Sequence, residues 1–323
     1  MQYRRLGKSE LEVSVIGLGG TTFGKHEAFG HYSDQAGSVD VIHYARDLGV
    51  NLIDTADMYG DGVSESYIGK AIAGRRDQFI IASKVGVPWS HCSGEGLLSR
   101  EYIMKSIEGS LQRLGTEYLD LYYAHAPDPI TPIEETLGAF DDLVRQGKVR
   151  TLGCSNFTGP QISEAHTAAQ RGGFSPFQVS QCPYNLLTRT IEDDILPRCL
   201  RNEMSIVAYA PLAQGVLTGK YRPGATIPEN TRAWKNPSLN LNRYLADANL
   251  EIVERLATWA KDAGHHVLEL AIAWLAAKPF VGSILTGVTS ADQLEANVKA
   301  IAWPLTPQQV GEVEKIVGDL KME

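Results

Sequence analysis

A chain of 323 residues, 43% hydrophobic and 21% charged, with a formal net charge of −8, has the makeup of a globular protein able to bury a sizeable core. The negative balance argues against a nucleic-acid or anionic-membrane partner, no apolar run is long enough to span a bilayer, and no apolar stretch follows Arg4 and Arg5 to make a signal peptide. The four scattered cysteines, Cys92, Cys154, Cys182 and Cys199, suit neither a disulfide framework nor a zinc site, so a reducing cytoplasm is the expected setting.

Along the chain, Tyr3–Leu6 and Leu11–Val15 flank Gly7–Glu10 and predict a hairpin that closes the end of a barrel. Strand-like runs follow near 15–18, 51–54, 79–84, 119–125, 149–155, 177–182, 205–210 and 281–286, with helical patterns between them. Ser64 is placed to cap a helix carrying Tyr67, Ile68, Ala71 and Ile72. In Ser99–Leu114, Ile103, Ile107, Leu111 and Leu114 fall on one face, and Gly115 stands where a C-terminal cap belongs. Thr131, Pro132 and Glu134 predict an N-cap, a first-turn proline and a capping box for a helix ending at Gly147.

Eight strands alternating with helices at roughly 30-residue intervals match a (β/α)8 barrel spanning residues 1–323 as a single domain. A doubly wound sheet is the runner-up, but no G-x-G-x-x-G follows an early strand. Between the seventh and eighth barrel strands lies a much longer gap. It holds a Gly/Pro/Asn-rich stretch, Gly215–Asn242, that leaves the strand ends as a lid would.

Six runs end on residues able to do chemistry: Asp54, Lys84, His125, Asn156, Gln181 and Tyr209, with Tyr59 five residues past the first. A parallel barrel gathers its strand C-termini at one rim, where catalytic groups come from several strands. Each residue alone has a plainer reading, as a strand-end cap, rim charge or turn tyrosine. The adjacent pair His265-His266 points apart on a helix and has no third ligand nearby, so no metal is expected. Cys154 and Cys182 are expected to be buried thiols.

The stretches N-L-I-D-T-A-D-M-Y-G (51–60), I-I-A-S-K (80–84), L-Y-Y-A-H-A-P-D (121–128), G-C-S-N-F (153–157) and A-Y-A-P-L-A-Q-G-V-L-T-G-K-Y (208–221) resemble the aldo-keto reductases. The likeness extends through G-V-T-S-A-D-Q-L-E-A-N (287–297), and the 6–20 and 216–221 blocks resemble the bacterial branch that includes the potassium-channel β subunits. The resemblance implies a (β/α)8 barrel and NADPH-dependent reduction of a small carbonyl substrate. It implies a tetrad of Tyr59 as general acid, Lys84 lowering the phenol's pKa, Asp54 holding that lysine, and His125 orienting the carbonyl.

By the same resemblance, Ser155, Asn156 and Gln181 bond the nicotinamide carboxamide and Tyr209 stacks on its ring. Leu212, Gln214, Gly215, Leu217, Gly219 and Lys220 belong to the segment around the pyrophosphate. Arg232 reaches the adenosine-side phosphate, and Gly287, Thr289, Gln293 and Asn297 hold the 2′-phosphate and adenine. Thr289 stands where many relatives carry Arg or Lys, and Ala296 where many carry an acidic residue, which leaves NADH open beside NADPH. Phe23, Met58 and Trp89 are expected to line an apolar substrate pocket.

Two other classes stay open: a redox-sensing or regulatory subunit with little turnover, and a cofactor-free isomerase or lyase using Lys84 as a Schiff base.

Overall fold

The computed structural model describes residues 1–24, 32–89, 94, 96–235 and 242–319. Strands β1 (Tyr3–Arg5) and β2 (Glu12–Ser14) pair antiparallel, Tyr3 opposite Ser14. The strands β3 (Ile16–Gly19), β4 (Leu52–Asp54), β5 (Ile80–Val85), β6 (Leu119–Ala124), β7 (Val149–Ser155), β8 (Val179–Pro183), β9 (Ser205–Tyr209) and β10 (Val281–Thr286) follow. All eight are parallel and in sequence order, and β10 pairs back onto β3 to close the barrel.

Outside lie α1 (Gln35–Asp47), α2 (Val63–Ile72), α3 (Arg100–Leu114), α4 (Ile133–Arg145), α5 (Gly159–Gly172) and α6 (Ile195–Arg201). The long connection after β9 carries a 3-10 segment (Ala213–Thr218), α7 (Arg232–Lys235), α8 (Asn242–Leu245), α9 (Asp247–Asp262) and α10 (Val267–Ala276). The helices α11 (Ala291–Ala300) and α12 (Pro307–Asp319) finish the described chain. Among the described residues no helix is long and apolar enough to cross a bilayer. Residues 236–241 of the expected lid, and Cys92, lie outside the described residues.

Two cores result. One joins the outward faces of the strands to the helices. The other fills the barrel, where Leu52, Ala82, Leu121, Tyr123, Val179, Val207 and Leu285 meet Leu6, Leu11 and Val13 of the hairpin. The hairpin therefore plugs the N-terminal mouth with side chains and leaves the C-terminal mouth as the open end.

The expected caps of α3 form: Ser99 accepts from the Tyr102 amide, and Gly115 takes a left-handed φ of 61°. Two others do not. Helix α4 begins at Ile133 without a side-chain cap, because the Thr131 hydroxyl donates to Asp128 at 2.8 Å and forms no capping box. Helix α2 follows Gly62 (φ 85°), and Ser64 lies one residue inside it. Its hydroxyl donates to the Gly20 carbonyl at 2.9 Å and bonds Thr55 Oγ1 at 2.8 Å, tying the first turn to the strand ends.

Leu6 is fully buried in the plug. Leu6→Ala is expected to cost about 2–5 kcal/mol of stability, the usual range for a buried leucine that leaves a cavity. Urea unfolding measures it, and a loss below about 1 kcal/mol would show that the hairpin is dispensable to the barrel.

Candidate active site

Strand register brings the tetrad together. Parallel pairing sets Asp54 beside Gly19 and Ala82, and Lys84 beside Tyr123, so Asp54, Lys84 and the residue after β6, His125, share the C-terminal rim. Past Asp54 the chain turns: the Tyr59 amide donates to the Ala56 carbonyl at 3.1 Å, and the Asp57 amide donates to the Lys84 carbonyl at 3.3 Å. That turn carries the phenol back over the barrel mouth.

Lys84 Nζ is the hub. It donates to Asp54 Oδ1 at 2.5 Å, to the Thr55 carbonyl at 2.8 Å and to the Tyr59 hydroxyl at 3.3 Å. Lys84 is fully buried, and all three ammonium hydrogens have acceptors. Gln181 Nε2 donates to the second Asp54 oxygen at 2.8 Å. The Tyr59 and His125 rings meet edge to face, with centroids 5.9 Å apart.

Burial sets the electrostatics. It pulls the Lys84 ammonium down, but Asp54 and Tyr59 more than offset this and hold it above its ordinary pKa. Burial pushes Asp54 up against the pull of Lys84 and Gln181. Both carboxylate oxygens accept hydrogen bonds, which favours the ionised pair. The His125 imidazole is driven down to about 3 by burial and then by Lys84, so it is neutral at physiological pH. Burial raises the Tyr59 phenol overall, and Lys84, as expected, pulls it down against that rise.

Around the rim the remaining polar side chains form a connected chain. Asn156, at a left-handed φ of 61°, donates from Nδ2 to the His125 carbonyl at 2.9 Å and to Ser155 Oγ at 3.1 Å. It accepts from the Tyr209 hydroxyl at 3.0 Å. The Ser155 hydroxyl donates to the Gln181 carbonyl at 3.1 Å. Gln181, which the resemblance sets at the nicotinamide carboxamide, here has its side chain between Asp54 and Tyr123.

Farther round, the segment after Leu212 is tightly wound, with Gln214 at φ 57° and Gly215 at φ 98°. Leu217 is fully buried. The 3-10 segment ends at Gly219, φ 73°. Beyond it stand two cations, Lys220 exposed and Arg232 half-buried, each lowered first by desolvation, and Arg232 lowers Lys220 further. After β10 comes Gly287, exposed, and then the Thr289 amide donates to Gln293 Oε1 at 3.0 Å, while Asn297 is buried on α11.

Of the expected pocket residues, Met58 is half-buried beside Tyr59. Trp89 is half-buried too, with its indole N–H 3.4 Å from the Tyr102 hydroxyl and the Arg113 guanidinium 5.7 Å from its ring centroid. Phe23 departs from the expectation: it is fully buried in the outer core and presents no surface to a pocket. Phe23 closes the 3-10 turn Gly20–Thr22 that follows the first barrel strand, its amide donating to the Gly20 carbonyl.

His265 stacks on Trp303 with centroids 3.8 Å apart, and His266 caps α10 by accepting from the Leu268 amide. Cys154, Cys182 and Cys199 are buried, and burial raises all three thiols. Sequence reasoning missed Thr55, whose carbonyl holds Lys84, and the support of Asp54 by Gln181. The adjacency of Thr55 to Asp54 was a visible signal; the Gln181 contact joins positions 127 residues apart and had none.

The geometry offers an ionised lysine touching a buried phenol beside a neutral imidazole. Comparison with known proteins shows the family. The model of the aldo/keto reductase family matches residues 15–317. A probable voltage-gated potassium channel subunit beta of Arabidopsis thaliana is 37% identical, over 98% of this chain and 97% of its own. The aldo-keto reductase YhdN of Bacillus subtilis is 34% identical over 98% and 94%. The L-glyceraldehyde 3-phosphate reductase of Escherichia coli K12 is 33% identical over 99% and 93%. This chain belongs to the aldo/keto reductase family.

Proposed function

We propose that the protein is an NADPH-dependent carbonyl reductase in which Tyr59 is the general acid. The observation that carries this reading is Lys84 Nζ, buried between the Asp54 carboxylate at 2.5 Å and the Tyr59 hydroxyl at 3.3 Å. The family and its named reductases support an oxidoreductase.

The residues present fit a dinucleotide. Lys220 and Arg232 are neighbouring cations that burial and mutual repulsion disfavour, a cost that a bound polyanion relieves. Gly215, at φ 98°, allows backbone close to phosphate, and the Lys220 ammonium lies against it. Ser155, Asn156 and Tyr209 would hold the nicotinamide end, and Gln293 with Thr289 the adenosine end. When bound, the nicotinamide supplies a hydride to the carbonyl carbon.

The chain's own groups handle the oxygen. Tyr59 donates its proton to the oxygen as negative charge develops there, and Lys84 stabilises the phenolate left behind. Asp54 keeps Lys84 charged and aimed. Neutral His125 donates one ring N–H to the carbonyl oxygen and so orients it without placing a second cation in the site. Met58 and Trp89 face the apolar part of the substrate.

A second reading follows from the Arabidopsis relative, whose name is that of a channel subunit: a cofactor-binding subunit with little turnover. Turnover of a carbonyl panel with NADPH and NADH separates the two, and tight binding without turnover selects the second.

Tyr59→Phe is expected to lower the turnover number by about 10²–10⁴-fold, the usual worth of a general acid, with NADPH affinity unchanged. Wild-type turnover in that variant would remove Tyr59 from the chemistry. Arg232→Ala is expected to raise the KM for NADPH about 10–100-fold and that for NADH far less, the loss of one charge-assisted bond of about 1.5–3 kcal/mol. Equal effects on both cofactors would put Arg232 at the shared diphosphate. The His125 ring resonances should not titrate between pH 5 and 8 by NMR, and a midpoint near 6.5 would contradict the neutral, buried imidazole.

A further inference from the structure

Behind the tetrad, between the β4 loop and helices α2 and α3, sits a second group of titratable side chains that the proposed chemistry does not use. Asp57 and Glu65 are both fully buried. Glu65 takes the stronger partners: Arg113 Nε at 2.7 Å on one oxygen and the Ser83 hydroxyl at 2.5 Å on the other. Asp57 receives the Ser106 hydroxyl at 3.0 Å on Oδ2, while Oδ1 makes no full hydrogen bond among the described residues.

Two buried carboxyls thus feel one guanidinium, and Glu65 is the one ion-paired to it. The groups facing Asp57 are Glu65 on α2, Ser106 and Arg113 on α3, the buried Tyr122 phenol on β6, and the Met58 amide and Tyr59 on its own turn. The Lys84 carbonyl on β5 accepts from its backbone. Burial first, and then Glu65, push the Asp57 carboxyl up to about 7.

Asp57 lies within the turn that presents the phenol. Its amide is stitched to β5, its side chain to α3, and the turn closes from the Tyr59 amide to the Ala56 carbonyl. Its negative charge, when present, raises the Tyr59 phenol.

We propose that Asp57 is a positioning residue for Tyr59, pinning the turn that carries the phenol to α3 and holding an exchangeable proton whose loss places a negative charge behind it. This rests on the reductase reading, with Tyr59 as the acid. Below neutral pH, Asp57 is a neutral anchor. Above it, the carboxylate makes the phenol a weaker acid, so reduction slows while the phenol stays protonated to higher pH.

The test is the pH profile of kcat for aldehyde reduction in wild type and Asp57→Asn. Wild type is expected to step down severalfold around pH 7, on top of its alkaline limb. Asp57→Asn should lack the step, and its alkaline limb should lie about 1 pH unit lower, the scale of a removed like charge at short range. Profiles of the same shape, differing only in height, would overturn the proposal.

Unfolding midpoints at pH 5 and pH 8 give a reading that needs no turnover. A carboxyl raised on folding contributes stability that is full below its unfolded pKa and lost as pH rises through about 7. Asp57→Asn, which does not titrate, should therefore gain on wild type between the two pH values, and a constant difference would overturn the proposal. Absence of turnover with every carbonyl would instead sink the reductase reading, with the midpoints still deciding the proton on Asp57. If Asp57→Asn does not fold, Ser106→Ala removes the bond that favours the carboxylate and should move the step to higher pH; an unmoved step would overturn the proposal.

Discussion

A lysine and an aspartate sealed inside a barrel mouth, 2.5 Å apart, are the constraint to which the rest of the site answers. Taking each ion out of water costs several kcal/mol after relaxation, and the attraction between them repays it only when the remaining hydrogen-bonding capacity is also met. Here it is met. Lys84 spends one hydrogen on Asp54, one on the Thr55 carbonyl and one on the Tyr59 hydroxyl, and Asp54 takes its second bond from Gln181. The third lysine hydrogen couples the structural pair to the chemistry, because the acceptor that completes the ammonium is the proposed acid.

The barrel makes this geometry rigid. Neighbouring parallel strands fix Asp54, Lys84 and His125 to adjacent positions on one rim, and the hairpin plug at the opposite mouth fills the interior beneath them. The outer wall contributes too. Ser64 ties α2 to Gly20 and Thr55, and Ser106 ties α3 to Asp57, so the turn bearing Tyr59 is held on both flanks. A phenol set in this way needs little reorganisation when charge develops on a carbonyl oxygen, which is where preorganised sites draw most of their advantage.

Where local sequence signals misled, another partner or the surrounding packing had won over the expected one. Thr131 reads as an N-cap, but Asp128 three residues earlier supplies a charged acceptor for its hydroxyl at 2.8 Å. Ser64 reads as a cap, but its hydroxyl faces a buried carbonyl 44 residues away, which would otherwise lack that donor. Phe23 follows a strand end as pocket residues do, yet it closes a 3-10 turn and packs in the core. Lys84 pulls the Tyr59 phenol down as the sequence suggests, but burial, invisible in sequence, raises it overall.

The order of the strands, the hairpin before them, the long connection after β9 and the gathering of polar residues at the strand ends were all legible in the sequence. Alternating apolar periodicity and polar strand endings are local properties, and parallel barrels place such endings on one rim by topology alone. Only the tertiary structure could set Gln181 beneath Asp54, seat Asp57 and Glu65 around a single guanidinium, or decide that His125 is neutral. Those outcomes depend on burial and on contacts between residues far apart in the chain, and the free energy of a charge is decided by the surroundings that folding assembles about it.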